Sequence, residues 1–275
     1  MTETTTPAVT SAVAPATAAA LPASPFPPIR TVAMNAPFAW VVAGWRDFAR
    51  APLASGFYGV AFALMGWLIH LVFRHAFEYT SSLTAGFLLL GPFIATGLYD
   101  ISRRLERGET VRLGTTLTAW RSNVGTFGLF ALVLTIIMLV WARASLITFA
   151  LFFSSGMPTL QNFLGRVASL QHWDFVLAWV AVGLLFASIV YAVSVVSVPM
   201  ILDRGTDAVV AGITSARALF ANVGPLVLWA LLIVVLIGIG FATLFVGLIV
   251  TAPIVGHATW HAYRALVGPA ASDVT

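Results

Sequence analysis

The chain has 275 residues, of which 60% are hydrophobic and only 9% are charged, and its formal net charge is +4. A soluble domain carries about 25% charged residues, and a soluble fold of this size could not bury so much apolar surface. Composition therefore excludes a soluble globular protein and predicts an integral membrane protein whose main partner is the lipid bilayer.

Several function classes are disfavoured by the residue types that the chain lacks. All fourteen cationic side chains are arginine, and they follow apolar runs instead of forming a basic patch, so nucleic-acid binding is not predicted. Cysteine is absent, which excludes disulfides, thiolate catalysis and iron–sulfur clusters. No H-E-x-x-H, G-x-S-x-G or P-loop motif is found. We therefore expect neither an enzyme nor a cofactor.

The N-terminal part of the chain divides into a tail and a helix. Residues 1–31 are rich in Ala, Thr, Pro and Ser, and they predict a disordered tail. Asn35 to Arg50 predicts an amphipathic helix that lies in the membrane interface, with Trp45 as an anchor and Arg46 beside it.

Six apolar runs follow, each long enough for one crossing of about 20 residues. They lie at about residues 52–73, 80–100, 122–142, 175–200, 223–240 and 243–263. A transmembrane domain is expected at residues 32–267, with a short C-terminal tail at 268–275. Residues 144–165 contain an apolar stretch that is too short to cross, so they predict an interfacial or re-entrant element.

The arginines predict the orientation of the chain. Arg103, Arg104 and Arg107 follow the second span, and Trp120 marks the interface before the third. With the N-terminus inside, eleven arginines lie on the cytoplasmic side and three on the opposite side. Positive charge favours the cytoplasmic side, so we predict an N-in, C-in protein of the bacterial inner membrane.

Similar short sequences recur along the chain and predict three related units. Ser122-Asn123-Val124-Gly125 opens the third span, and Ala221-Asn222-Val223-Gly224 opens the fifth. Amphipathic stretches precede these spans at 111–121 and 207–220, as 35–50 precedes the first. Each returning span has a late proline that predicts a kink, at Pro92, Pro199 and Pro253. The predicted fold is thus an all-α bundle of three helix pairs, each preceded by an interfacial helix. Chance resemblance between apolar helices is the alternative.

Two sequence blocks carry a resemblance to a known family. PFAWVVAGWRDFARAPLASGFYG (Pro37–Gly59) and GPFIATGLYDISRRLERGE (Gly91–Glu109) are similar to the DUF2189 family of predicted bacterial integral membrane proteins. The resemblance extends over about Val32 to Val267. It implies a multi-span inner-membrane protein and brings no established activity. Some relatives carry oxidase-subunit labels, but five histidines do not suffice for a haem–copper catalytic core.

The three prolines also predict a candidate site. Of the six positions that lie four and eight residues beyond them, one is Thr96 and the other five are carboxylates or imidazoles. These five are Asp100, Asp203, Asp207, His257 and His261. If the units pack around a pseudo-threefold axis, these side chains would meet at the cytoplasmic mouth and bind a cation or relay a proton. The alternative is that they cap helix ends and pair with neighbouring arginines.

Two functions fit these features. The preferred one is a non-enzymatic scaffold or accessory protein that modulates a larger membrane assembly, such as a respiratory oxidase, through other membrane subunits or a second copy. The alternative is a transporter or channel for a neutral or lipid-like solute, which the repeat and the three prolines favour.

Overall fold

A computed structural model describes residues 26–75, 79–153 and 173–269, and within these ranges the chain forms helices and loops without a β-sheet. Ten α-helices lie in the described part. They are α1 (Ala36–Arg50), α2 (Pro52–His75), α3 (Thr80–Glu106), α4 (Leu113–Thr116), α5 (Val124–Phe152), α6 (Trp173–Ser194), α7 (Ser197–Arg204), α8 (Ala208–Ala221), α9 (Val223–Ala242) and α10 (Leu248–Leu266). The predicted all-α class is confirmed.

Four stretches of the described residues are helical, long and apolar enough to cross a membrane. They are Pro52–His75, Leu113–Phe152, Trp173–Arg204 and Val223–Ala242. The prediction of several membrane spans is confirmed at this level. The other two predicted spans fall in α3 and α10, which are not among the four, so the count of six remains a prediction.

Helix α10 lies at the centre of the bundle and packs against α1, α2, α3 and α9. Glycines allow two of these approaches. A Cβ atom on Gly44 of α1 would lie 2.7 Å from the Ile254 carbonyl oxygen, and one on Gly59 of α2 would overlap the Ile249 carbonyl. Pro253 has no N–H to bond the Ile249 carbonyl four residues earlier. The proline therefore leaves that carbonyl without its helical donor, and Gly59 gives it room.

Several of the largest buried side chains cluster at the end of the bundle that contains Arg103, Arg104, Arg107 and Arg264, which we call the arginine-rich end. Trp40, Trp229, Trp260 and Tyr263 are all at most 4% exposed there. Trp40 and Trp229 meet edge to face, with ring centroids 6.0 Å apart. The four candidate spans, by contrast, have only 0–22% of their most apolar windows buried inside the protein. Most of the span surface therefore faces outward.

The third predicted span is longer than expected. Helix α5 continues without a break to Phe152, so a separate element beginning at residue 144 is wrong for residues 144–152. Arg143 lies about 28 Å along α5 from Val124 at 1.5 Å per residue, close to one hydrocarbon thickness. The side chain can reach the headgroups from there, and arginine is compatible with a continuing helix. Residues 154–165 lie outside the described ranges.

The fourth predicted span, 175–200, is two helices. Helix α6 ends at Ser194 and α7 begins at Ser197. Pro199 is the cause, because its ring clashes with the carbonyl of the residue four positions earlier, Val195. The Ser215 side chain accepts a hydrogen bond from the Val196 N–H at 3.4 Å, which satisfies one backbone group at the break.

The second interfacial helix is also different from the prediction. Helices α1 and α8 occupy two of the three expected positions, but residues 111–121 form only the short α4 and part of a 3₁₀ turn at Ala119–Asn123. The Thr115 hydroxyl bonds the Arg112 carbonyl at 2.7 Å, and Thr118 bonds the Thr115 carbonyl at 3.1 Å. Such local bonds compete with helix formation.

The N-terminal tail ends earlier than residue 31. Ile29 forms an isolated β-bridge with Val267 beyond α10. Asn222 donates to the Arg30 carbonyl at 3.0 Å and accepts from the Val32 N–H at 2.9 Å. These backbone bonds hold the segment before α1 against the bundle. The predicted C-terminal tail is likewise attached at its first residue, since the Gly268 N–H bonds the Pro28 carbonyl. Residues 1–25 and 270–275 lie outside the described ranges.

Candidate functional site

The five residues predicted to form one cluster do not converge on one point. Asp100 is fully buried and accepts hydrogen bonds from Arg103 and from Arg104, the latter at 2.8 Å. Asp207 is exposed and caps α8, where it accepts from the N–H groups of Val209 and Val210 at 2.9 Å. These two carboxylates therefore have the roles of pairing and capping.

Asp203 belongs to a charged network that joins α3, α7 and α10. It accepts a hydrogen bond from the Tyr263 hydroxyl at 2.8 Å, and it lies 3.3 Å from the Arg107 guanidinium and 3.5 Å from that of Arg264. Glu106 extends this network by accepting from Trp260 Nε1 at 2.9 Å and from Arg264 at 3.0 Å. All of these contacts lie at the arginine-rich end.

His257 and His261 lie in a separate polar network, which is the candidate site. His257 is fully buried on α10 between two serine hydroxyls. Ser55 of α2 lies 2.9 Å from its Nε2, and Ser102 of α3 lies 2.8 Å from its Nδ1. Ser102 also hydrogen bonds Asp47 of α1. Finally, Asp47 accepts from His261 Nε2 at 2.8 Å.

The helices bring this network together because they approach closely at one level of the bundle. Asp47 shares the buried face of α1 with Pro37, Trp40 and Gly44. Gly44 has no side chain, so α1 can lie against α10 and bring the Asp47 carboxylate to His261. Four helices thus each supply at least one polar group to the same buried region.

One assignment of protons satisfies the polar groups of this network. Ionised Asp47 can only accept, so the single hydroxyl proton of Ser102 is donated to it. Ser102 can then accept from a protonated Nδ1 of His257, and the same ring also hydrogen bonds the Leu98 backbone. Nε2 is left as an acceptor for the Ser55 hydroxyl. The order is Ser55 to His257 to Ser102 to Asp47, with His261 donating at the far end.

The environment of Asp47 keeps it ionised. Burial acts to raise the pKa of this carboxyl, but the hydrogen bonds from His261 and Ser102 outweigh it, and the pKa lies below its ordinary value. His261 is 27% exposed at its side chain, so the network extends from a fully buried serine to the surface. Neighbouring members lie within hydrogen-bond distance of each other, and the network satisfies polar groups that would be costly to bury alone.

No metal-binding group of three His, Asp or Glu side chains is present in the part of the chain that the structure describes. The residues that the sequence predicts at the membrane interface lie outside this polar network. Arg46, Arg50 and Trp45 are exposed on α1. Trp120 is half-buried and donates to the Leu117 carbonyl at 3.0 Å.

The sequence prediction missed Asp47, Ser55 and Ser102. One signal for Asp47 was available, because residues 37, 40, 44 and 47 share one face of α1 at helical spacing. Trp45 lies on a different, exposed face of this helix. Nothing in the sequence separates Ser55 and Ser102 from the other serines.

The comparisons with known proteins support the family resemblance over part of the chain. A family model described as a predicted integral membrane protein (DUF2189) matches residues 79–203. This range runs from the start of α3 almost to the end of α7 and includes Ser102, Asp100 and Asp203. No curated protein and no solved structure matches the chain.

Proposed function

We propose that this chain, which resembles predicted integral membrane proteins over residues 79–203, is a non-enzymatic scaffold or accessory protein that modulates a larger assembly in the bacterial inner membrane. A respiratory oxidase is one such assembly. The proposal is supported by how little of the span surface is buried inside the protein. The window of Trp173–Arg204 is 0% buried inside the protein and that of Leu113–Phe152 is 11% buried. Surfaces of this kind are available to other membrane subunits.

The helix pair α5 and α6 is the part best suited to contact such subunits. The two helices pack on each other and meet the rest of the bundle mainly near α7 and α8. Leu184 and Leu139 are about 60% exposed on this pair, at 63% and 59%. Because lipid tails are as apolar as these side chains, a partner would be held by close packing and not by a hydrophobic effect.

Purification from native membranes in mild detergent tests the scaffold proposal. We expect at least one membrane protein to co-purify in constant ratio with the tagged chain. A tagged membrane protein of similar span number, expressed at the same level, controls for incidental capture. Recovery of the chain without a partner, or with the partners of the control, would contradict the proposal.

The number of spans and the side of each terminus are also part of what we propose. We infer six spans with both termini inside, in which α3 and α10 complete the set of four apolar stretches. Helices α3 and α10 have 27 and 19 residues, long enough to cross or nearly cross about 30 Å of hydrocarbon. Their ends hold Arg103, Arg104 and Arg264 at one side of the bundle, as the positive-inside rule requires of cytoplasmic ends.

Three related units are supported by a contact that recurs. Asn222, which precedes α9, bonds the backbone of Arg30 and Val32 in the segment that leads into α1. Asn123, which precedes α5, lies 3.5 Å from the Thr206 carbonyl in the segment that leads into α8. In both cases an asparagine before a span contacts the lead-in to another unit. This is the relation that a pseudo-threefold arrangement would produce.

A transporter or channel for a neutral or lipid-like solute is the second candidate. The helix break before Pro199 and the buried network around His257 favour it, since transporters often have discontinuous helices and polar groups inside the bundle. Solute or proton flux into liposomes that contain the purified chain would test it. Flux equal to that of empty liposomes would exclude this candidate.

A further inference from the structure

A groove at the arginine-rich end of the bundle lies between the α1–α2 junction and the loop that follows α3. It has a volume of about 520 Å³, within the range of roughly 300–1,000 Å³ that small-molecule sites occupy. Arg50 and Thr110 provide its polar lining, and Leu53, Leu105, Val111 and Leu113 provide most of its apolar lining. We refer to it as the Arg50 groove.

The groove lies at the depth of the lipid headgroups. Helix α2 begins at Pro52, and a stretch apolar enough to cross the membrane begins at the same residue. Leu53 is 90% exposed beside Arg50. A fully exposed leucine next to an exposed arginine at the start of a span places one side chain toward acyl chains and the other toward headgroups.

The charges around the groove favour an anion. Arg50 lines the groove, and Arg112 lies in the chain between the lining residues Val111 and Leu113. Both arginines are exposed, and neither forms an ion pair with any residue in the described ranges. The carboxylates nearest in sequence are already engaged. Asp47 pairs with His261 and is 4% exposed, and Glu109 lies 3.3 Å from Arg104. Among the described residues, the Arg50 guanidinium is thus a cation without an anionic partner, and it lines a cavity.

We propose that the Arg50 groove binds one molecule of an anionic phospholipid, with its phosphate on Arg50 and its glycerol and upper acyl chain against the apolar wall. Basic pockets between membrane helices on the side that carries the positive charge bind such headgroups. The apolar lining distinguishes a lipid from free phosphate, which would gain nothing from Leu53 or Val111. This inference goes beyond the proposed function, since it holds for a scaffold and for a transporter alike.

Lipid binding to the delipidated full-length protein in detergent, followed by native mass spectrometry, tests this site. The probes are phosphatidylglycerol, phosphatidylcholine and inorganic phosphate. We expect one phosphatidylglycerol to be retained in preference to phosphatidylcholine. Arg50→Gln should weaken that binding about tenfold, equivalent to about 1.4 kcal/mol. Leu53→Gln should weaken it as well, although it leaves every charge in place.

Arg143→Gln is the matched control, because it removes an exposed arginine from α5 at the other end of the bundle. All three substituted side chains are exposed, so the fold should be retained, and an unchanged thermal unfolding profile would verify this. Equal weakening by Arg50→Gln and Arg143→Gln would overturn the proposal. Equal retention of the two lipids, or displacement of the lipid by inorganic phosphate, would also overturn it.

Discussion

At the scale of single residues, the buried Ser55–His257–Ser102–Asp47–His261 network offers the clearest test. Ser102→Ala removes a buried hydrogen-bond partner of His257 Nδ1 and one donor to Asp47. Leaving a buried polar group unsatisfied costs about 1–3 kcal/mol. We therefore expect the free energy of unfolding in detergent to fall by about that amount.

Ser194→Ala is a suitable control for this prediction. The Ser194 hydroxyl bonds the Val190 carbonyl of its own helix at 2.6 Å, so its removal leaves no new buried group without a partner. Its effect should be close to zero. Equal loss of stability in the two variants would show that the His257 network contributes nothing specific.

The ionisation of Asp47 gives the network a pH dependence. Because the pKa of Asp47 in the folded protein lies below its ordinary value of 3.8, the stabilising contribution is fully present above about pH 4. It is lost as the pH falls through the lower, folded pKa. Asp47→Asn should therefore be less stable than the parent chain at pH 6, and the difference should shrink toward pH 3.

Thermal unfolding in detergent at a series of pH values measures this difference. Glu109→Gln provides the control, because Glu109 is 46% exposed at its side chain and makes a surface pair that contributes little. A constant difference between Asp47→Asn and the parent chain from pH 6 to pH 3 would contradict the prediction.

Which residues form the site could be predicted only in part. His257 and His261 share a helix face at a spacing of four, and that spacing is visible in the sequence. Their partners come from α1, α2 and α3, up to 214 positions away along the chain. Pairing at such distances depends on where helices cross, and here the crossings depend on Gly44 and Gly59. Counting from the prolines links Asp100, Asp203 and Asp207 to the histidines. In the structure Asp100 and Asp207 have local partners, and Asp203 pairs with residues of α10 and with Arg107.

At the scale of helices, the glycines at crossings should be far less tolerant than other glycines. Gly59 and Gly56 both lie in α2. A Cβ on Gly59 would overlap the Ile249 backbone, whereas a Cβ on Gly56 would have no heavy atom within 4 Å. Gly59→Ala should destabilise the protein by about 1–3 kcal/mol because α2 and α10 must separate. Gly56→Ala should be neutral or stabilising, by up to about 1 kcal/mol.

Unfolding of the two variants in the same detergent compares these effects directly. Both substitutions add one methyl group to the same helix, so their difference isolates the contact with α10. Similar stabilities would mean that α2 and α10 are not in close contact at Gly59.

The helices themselves were more predictable than their ends. Apolar runs of about 20 residues identify helices in a membrane protein because backbone groups in lipid must be bonded within the chain. The predictions were wrong about where some helices end, because individual side chains determine the helix ends. The third span is predicted to end at residue 142, but its helix continues to Phe152. Pro199 is predicted to kink one helix, but α6 and α7 are separate helices. An amphipathic helix is predicted at 111–121, but the threonines after Arg112 bond nearby carbonyls and only a short helix forms there.

At the scale of the whole molecule, stability and exposed surface lie in different parts. Trp229, Trp260 and the ion-paired Asp100 and Asp203 are gathered at the arginine-rich end, where α1, α8 and α10 meet the ends of other helices. The spans beyond it bury little on one another. In such a protein, contacts at one end stabilise the fold, and the membrane-facing surface of the spans is available to lipids or subunits. This division fits a scaffold and requires no internal cavity.

The inferred six-span topology can be tested because the chain has no native cysteine. Single cysteines at Tyr79, Val246 and Val209 would each be exposed, since these side chains are at least 60% accessible. In the six-span arrangement, Tyr79 precedes α3 and Val246 precedes α10 on the periplasmic side, whereas Val209 lies in α8 on the cytoplasmic side. An impermeant maleimide added to intact cells should label Tyr79→Cys and Val246→Cys but not Val209→Cys. Labelling of Val209→Cys after permeabilisation controls for its reactivity. If α10 did not cross the membrane, the C-terminus would lie on the periplasmic side with Val246, and a cysteine replacing the exposed Arg264 would then be labelled in intact cells.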